Sequence, residues 1–162
     1  KMVSTNHYGV AYALDVFEVG LELGGTRLAS VFTLDNQPTC ILAHKGLVFV
    51  STSHPQSLVY VLDAYLLKKL AVIKLSDVTR SVDVIEKPLY QAYDLLIVAQ
   101  SCGSIGTYIV QEGTVRGVGQ SVLMIGTVFK TLNVFESVLL LCTDEGLHFA
   151  EMRADLSLVL KP

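Results

Sequence analysis

SLVYVLDAYLLKKLAVIKL, residues 57–75, reads either as one buried helix or as two strands joined at a turn. Pro55 just upstream suits the first turn of a helix, and the run has helix length. Val, Tyr and Ile are frequent in it, which suits a pleated surface. The fold follows from which reading holds.

Internal repetition separates the two. Three apolar runs share a form: GLVFVSTS (46–53), DLLIVAQS (94–101) and VLLLCTDE (138–145). Each meets a polar or glycine-bearing break: HPQS (54–57), CGSIG (102–106) and DEG (144–146). A second run follows, LVYVLDAY (58–65), TYIVQEG (107–113) and LHFAEMR (147–153), and then a third, KLAVIKL (69–75), TVRGVGQ (114–120) and LSLVLKP (156–162). Ahead of the three lie TRLASVFTL (26–34), RSVDVIEK (80–87) and FKTLNVFES (129–137). In the middle copy Gly103, Gly106, Gly113, Gly117 and Gly119 recur every few residues. Each costs about 1 kcal/mol relative to Ala inside a helix, so that copy reads as strands. If the copies share one fold, 57–75 is a hairpin turning near residues 65 to 68.

The passages STSHPQSLVYVLDAYLLKKLAVIKL and LLLCTDEGLHFAEMRADLSLVLKP resemble blades of the WD40-like superfamily, in which a strand, a polar turn and a strand ending in Asp recur. The second passage, with CTDEGLHF, is also similar to the citron-homology type of propeller. Units of roughly 45 residues have the length of such a blade. The chain has no Trp; Leu62-Asp63 and Leu14-Asp15 stand where the Trp-Asp dipeptide would be, and the family's Asp-His-Ser-Trp network is not carried over. The resemblance implies an all-β chain of about three and a half four-stranded antiparallel blades of a β-propeller. The expected division is a half unit at 1–25 and units at about 26–76, 77–122 and 123–162. An arc this short leaves raw blade edges, so the expectation is a piece of a larger propeller, or a chain that closes with another chain. The competing reading is an α/β domain with helices at 9–23 and 57–75.

Composition bounds the rest. The 162 residues are 51% hydrophobic and 17% charged, with mean hydropathy +0.51, which excludes a disordered chain. Uncharged runs such as 117–129 contain Gly and Gln and fall short of the roughly 20 apolar residues of a membrane span. Net charge is −3 and no basic run exceeds Lys68-Lys69, so no nucleic-acid partner is expected. Cys40, Cys102 and Cys142 are odd in number and widely spaced, against a disulfide framework or CxxC metal site. Free thiols imply a reducing compartment, hence an intracellular, cytoplasmic location. Lys1 at one end and Leu160-Lys161-Pro162 at the other do not read as natural termini.

Candidate chemistry is sparse. His7, His44, His54 and His148 form no HExxH or paired ligand spacing. His44 and His54 read as turn residues and His148 as part of a half-exposed strand. Asp144 and Glu145 could divide acid and base roles, but in CTDEG they read as a turn with Gly146 supplying a positive φ. GTVRGVGQ (113–120) lacks the GxGxxG and GK[ST] phosphate signatures and reads as a bulged or edge strand. Gly20, Gly24 and Gly25 read as turn punctuation. GSIG is one residue short of a GxSxG elbow, and Cys102, though at a turn, has no identifiable His partner. No catalytic residue, metal or cofactor is expected.

The functional expectation is a non-catalytic protein–protein interaction scaffold within a WD40-like propeller. Its contacts would be the repeated second-to-third-strand turn: His54, Pro55, Gln56, Cys102, Ser104, Asp144 and Glu145. Its partners would be other proteins or the remaining blades of the same propeller. The alternative is a propeller-type hydrolase, lactonase-like, with acidic or His residues from several blades meeting in a central channel. Three or more such residues within coordination reach would distinguish it.

Overall fold

The computed structural model describes residues 2–8, 11–19, 26–123 and 125–162, with side chains from Leu34 onward, Tyr90 excepted. The turn expected at Gly20, Gly24 and Gly25, and with it part of the half unit 1–25, lies outside the described residues. Among the described residues the regular elements are all β-strands apart from one short 3-10 turn at Pro88–Tyr90.

The described residues form four antiparallel sheets that follow one another along the chain. The first is three-stranded: β1 (Met2–Tyr8), β2 (Ala11–Val19) and β3 (Thr26–Leu34). The second holds β4 (Pro38–His44), β5 (Leu47–Thr52), β6 (Leu58–Asp63) and β7 (Lys69–Lys74) in sequential order. The third holds β8 (Thr79–Ile85), β9 (Asp94–Gln100), β10 (Ser104–Gln111) and β11 (Thr114–Val122). The fourth holds β12 (Val128–Phe135), β13 (Val138–Thr143), β14 (Gly146–Met152) and β15 (Leu158–Leu160).

Residues 57–75 are therefore a hairpin, with Val59 opposite Ile73 and Val61 opposite Ala71. The helix readings fail at both places, since 11–19 is a strand as well. Asp63 explains the turn: its Oδ1 accepts the N–H groups of Tyr65 at 2.9 Å and Leu66 at 2.8 Å. This Asx turn reverses the chain before β7.

One strand was misassigned from sequence. Thr26–Leu34 was expected to pair with the run at 46–53, but it pairs with β2, Leu34 opposite Tyr12. The first strand of the second sheet is Pro38–His44, joined to β5 by Lys45 and Gly46 with φ of 43° and 79°. Two adjacent positive φ values form the tight hairpin turn whose twist matches flanking strands. Glu112 and Gly113 repeat it between β10 and β11.

The apolar composition follows from how the sheets stack. Strands covered on both faces read as continuous apolar runs rather than alternating ones. All of β5 and β9 is buried. Leu47 and Phe49 pack toward the third sheet with Leu96 and Val98, while Val48 and Val50 cluster with Leu34, Leu58 and Leu62. Leu95 and Ile97 face the other way, against Leu139, Leu141, Ala150 and Leu158 of the fourth sheet. Fully burying one such side chain contributes about 1.5–3 kcal/mol.

The first strands β4, β8 and β12 meet where the sheets converge. Asn133 N–H donates to Asp83 Oδ2 at 2.9 Å, and the Cys40 thiol donates to the Arg80 carbonyl at 3.1 Å. The glycine-rich β11 is the sheet edge, bulged opposite Thr107 and Tyr108, as its sequence implies. Gly106 and Gly117 flank the Tyr108 ring; a Cβ on Gly106 would come within 2.8 Å of it.

Candidate functional site

The second-to-third-strand turns of sheets two, three and four share one end of the stack, because each strand order is sequential. At this end every turn is tied to the segment that leads into its own sheet. In the second sheet, Asn36 Oδ1 accepts Gln56 N–H at 3.1 Å and its Nδ2 donates to Tyr60 OH at 3.2 Å. Gln37 N–H reaches the His54 carbonyl at 2.9 Å. In the third, Ser101 Oγ donates to Asp77 Oδ2 at 2.7 Å. In the fourth, Thr127 N–H donates to Asp144 Oδ1 at 2.8 Å. The tips stay in solvent while their bases are fixed.

His54, Pro55, Gln56, Cys102, Asp144 and Glu145 are exposed on this end. Ser104 is not: it is 3% exposed and its Oγ accepts from Gln100 Nε2 at 3.5 Å and Gln120 Nε2 at 2.5 Å. The ladder of β10 already begins at Ser104, so its side chain offers no surface to a partner. Gln100 Oε1 in turn accepts Ser76 Oγ at 3.1 Å and Asp77 N–H at 3.0 Å, joining the linker to the turn. The Ser101 hydroxyl holds the Asp77 carboxyl below its ordinary range, against a smaller upward push from burial. Gly146 has the expected positive φ, 129°. A groove of about 330 Å³ lies beside the first turn, lined by Pro55, Gln56, Ser57, Lys74 and Ser76.

The opposite end carries a charged cluster that the sequence did not disclose. Asp94 Oδ2 lies 2.8 Å from both His44 Nε2 and Lys45 Nζ, and Asp94 Oδ1 accepts Lys87 N–H at 3.1 Å. Glu86 lies 3.3 Å from Lys45 Nζ and 3.8 Å from His44 Nδ1. Burial pushes the Asp94 carboxyl up, but hydrogen bonds from His44, Lys45 and the Lys87 N–H outweigh it and hold it low. The Asp94 bond raises the Lys45 ammonium above its usual value. His44, Glu86 and Asp94 thus meet around the Lys45 ammonium, which lies 3.3 Å from Glu86 and 2.8 Å from Asp94. The geometry joins the first turn of the second sheet to the first loop of the third. Its partners are about fifty positions apart in sequence, and no local pattern announces them.

His148 is half-buried in β14, its Nε2 without a hydrogen-bond partner. Among the described residues no three or more His, Cys, Asp or Glu side chains are arranged to hold a metal ion. No helix in the described residues is long and apolar enough to cross a membrane.

No family model matches the chain, and no curated protein matches it. Solved structures do. The chain resembles BBS1N in its crystal structure in complex with ARL6DN, soaked with lead, at a TM-score of 0.63 and 18% identity, over 90% of this chain and 48% of that one. A mercury-soaked crystal of the same complex gives 0.67 and 18%, over 94% and 47%. The chain spans about half the length of the structures it matches. The likeness is to a β-propeller domain, and with the sheet topology it shows the fold: antiparallel blades of a β-propeller.

Proposed function

We propose that this chain is a non-catalytic interaction scaffold, a set of WD40-like propeller blades that binds another protein through the turn end of the stack. The observation that carries the reading is the repeated tie at that end. Three successive turns present exposed tips while Asn36, Asp77 and Asp144 fix their bases to the preceding linkers. A recognition surface of this kind loses little conformational freedom on binding, because its loops are ordered beforehand. BBS1N, a solved neighbour, was crystallised with ARL6DN, which supports a protein partner for a propeller of this form. Membership of a larger propeller and an intracellular, cytoplasmic setting belong to the same proposal.

The contacts are His54, Pro55, Gln56, Cys102, Asp144 and Glu145. The test is affinity capture with the wild-type chain and with a variant carrying His54→Ala, Gln56→Ala, Cys102→Ser and Glu145→Ala, followed by identification of the captured proteins. These four side chains are exposed, and Cys102→Ser keeps a hydroxyl to donate to Asp77 as the thiol does. A partner lost with the substitutions supports the reading. The same partners captured equally by both removes the turns from it.

A further inference from the structure

The groove beside the first turn, about 330 Å³ in volume, gathers hydrogen-bond donors and no acid. Ser53, Pro55, Gln56, Ser57, Lys74 and Ser76 line it, and no Asp or Glu does among the described residues. Backbone bonds hold its walls in place. Leu75 N–H donates to the Ser57 carbonyl at 3.0 Å, fastening the end of β7 to the turn. Ser53 N–H donates to the Gln37 carbonyl at 2.9 Å, and the Ser53 carbonyl accepts the Ser57 hydroxyl at 3.4 Å. Gln56 N–H donates to Asn36 Oδ1 at 3.1 Å, and the Gln56 carbonyl accepts from Thr52 Oγ1 at 3.2 Å. The Ser76 hydroxyl already donates to Gln100 Oε1. The Ser53 hydroxyl, the Gln56 side-chain amide and the Lys74 ammonium remain for a ligand. Among the described residues the ion-paired cations are His44, Lys45 and Lys161, so Lys74, exposed at the end of β7, balances no carboxylate.

We propose that this groove seats an aspartate or glutamate side chain from a segment of the partner protein. The proposal rests on the scaffold reading above and names the chemistry of that partner. An ionised carboxylate only accepts hydrogen bonds, and the groove meets it with one ammonium and two neutral donors. The exposed Pro55 ring beside them gives the acid's methylene stem an apolar wall. Lys74 is the one cation lining the groove among the described residues, so its charge matches a single carboxylate. A phosphorylated residue brings a charge of about −1.5 to −2 and suits a site where an arginine fork or several cations converge. Charge also selects the sheet. The corresponding turn of the fourth sheet carries exposed Asp144 and Glu145, which repel an acidic segment and leave the second sheet as its seat.

The experiment measures binding of the labelled chain to four pools of end-capped octapeptides, random except for a central Glu, Gln, Lys or phosphoserine. Wild type is compared with Lys74→Ala, Lys74→Glu and, as a control of equal charge change, Lys69→Ala at the other, exposed end of β7. Circular dichroism confirms that each variant is folded. The expected result is a preference of about tenfold for the Glu pool over the Gln pool, kept by Lys69→Ala and lost in Lys74→Ala. Lys74→Glu should move the preference to the Lys pool. Equal binding of the Glu and Gln pools, no binding to any pool, a preference for phosphoserine over Glu, or a Glu preference untouched by Lys74→Ala overturns the proposal. Affinity capture with Lys74→Ala separates this failure from that of the scaffold reading. A partner lost with the four turn substitutions and kept by Lys74→Ala removes the acid from the groove and leaves the turn-end scaffold standing.

Discussion

Ser81 Oγ on β8 lies 3.1 Å from Thr131 Oγ1 on β12 and also accepts the Thr131 N–H at 3.1 Å, with both residues buried. One hydroxyl thus satisfies the outward N–H of the next sheet's first strand. Two apolar faces would stack at many offsets, and this bond with its neighbour from Asn133 N–H to Asp83 selects one. Ser81→Ala leaves a buried N–H without an acceptor and is expected to cost about 1–3 kcal/mol. Urea unfolding measures it; an unchanged midpoint would contradict the role given to Ser81.

Asp94 takes the same part at the other end, between sheets two and three. Its side chain is 11% exposed and accepts from His44, Lys45 and the Lys87 N–H. Lys45 is half in water, so its share is small. Asp94→Ala is expected to cost about 1.5–3 kcal/mol, mainly through His44 and the Lys87 N–H. Asp94→Asn keeps an oxygen for that N–H and should cost less. Equal losses in the two variants would show that the backbone bond contributes nothing.

Acid should unfold the chain through the same groups. Asp77 and Asp94 both sit below their ordinary value of 3.8 in the folded state. A depressed carboxyl binds fewer protons folded than unfolded, so its contribution is present above the unfolded value and lost as pH falls through the folded one. Stability is therefore expected to decline from about pH 4 downward. Asp77→Asn and Asp94→Asn should each flatten that decline, measured as the urea midpoint against pH. A slope unchanged in both variants would contradict the assignment.

Gly103 closes the turn between β9 and β10 at φ +77°, and a Cβ there would stand 2.7 Å from the Leu123 carbonyl oxygen. The Leu123 N–H in turn donates to the Gly103 carbonyl at 3.1 Å, so neither segment can withdraw without losing that bond. Gly103→Ala is expected to cost about 1–3 kcal/mol. Thermal unfolding would show it, and a neutral result would mean that the turn is free to rearrange.

The parts of the fold legible in sequence were those that repeat. Glycines at 103, 106, 113, 117 and 119 ruled out a helix in the middle copy, and the hairpin at 57–75 followed by likeness. The strand Pro38–His44 was missed because it opens on Pro and is only half-buried on alternate residues, while TRLASVFTL nearby has stronger strand character. The turn before β5 held the clue, since Lys45-Gly46 is a tight hairpin turn and needs a strand on each side. Exposed turn tips could be read from the polar breaks, whereas Ser104 looked like a turn residue because Gly103 and Gly106 flank it. Asn36 and Asp77 escaped because their partners lie twenty or more positions away and become neighbours only once the linkers fold back.

Nuclear Overhauser contacts of the chain in solution test the stacked-hairpin architecture most directly. The expected spectrum links Val61 to Ala71 and Val59 to Ile73 across the hairpin, and Ser81 to Thr131 between neighbouring sheets. A run of contacts between residues three apart through 57–75, with those cross-strand pairs missing, would mark a helix there and contradict both the blades and the turn-end scaffold built on them.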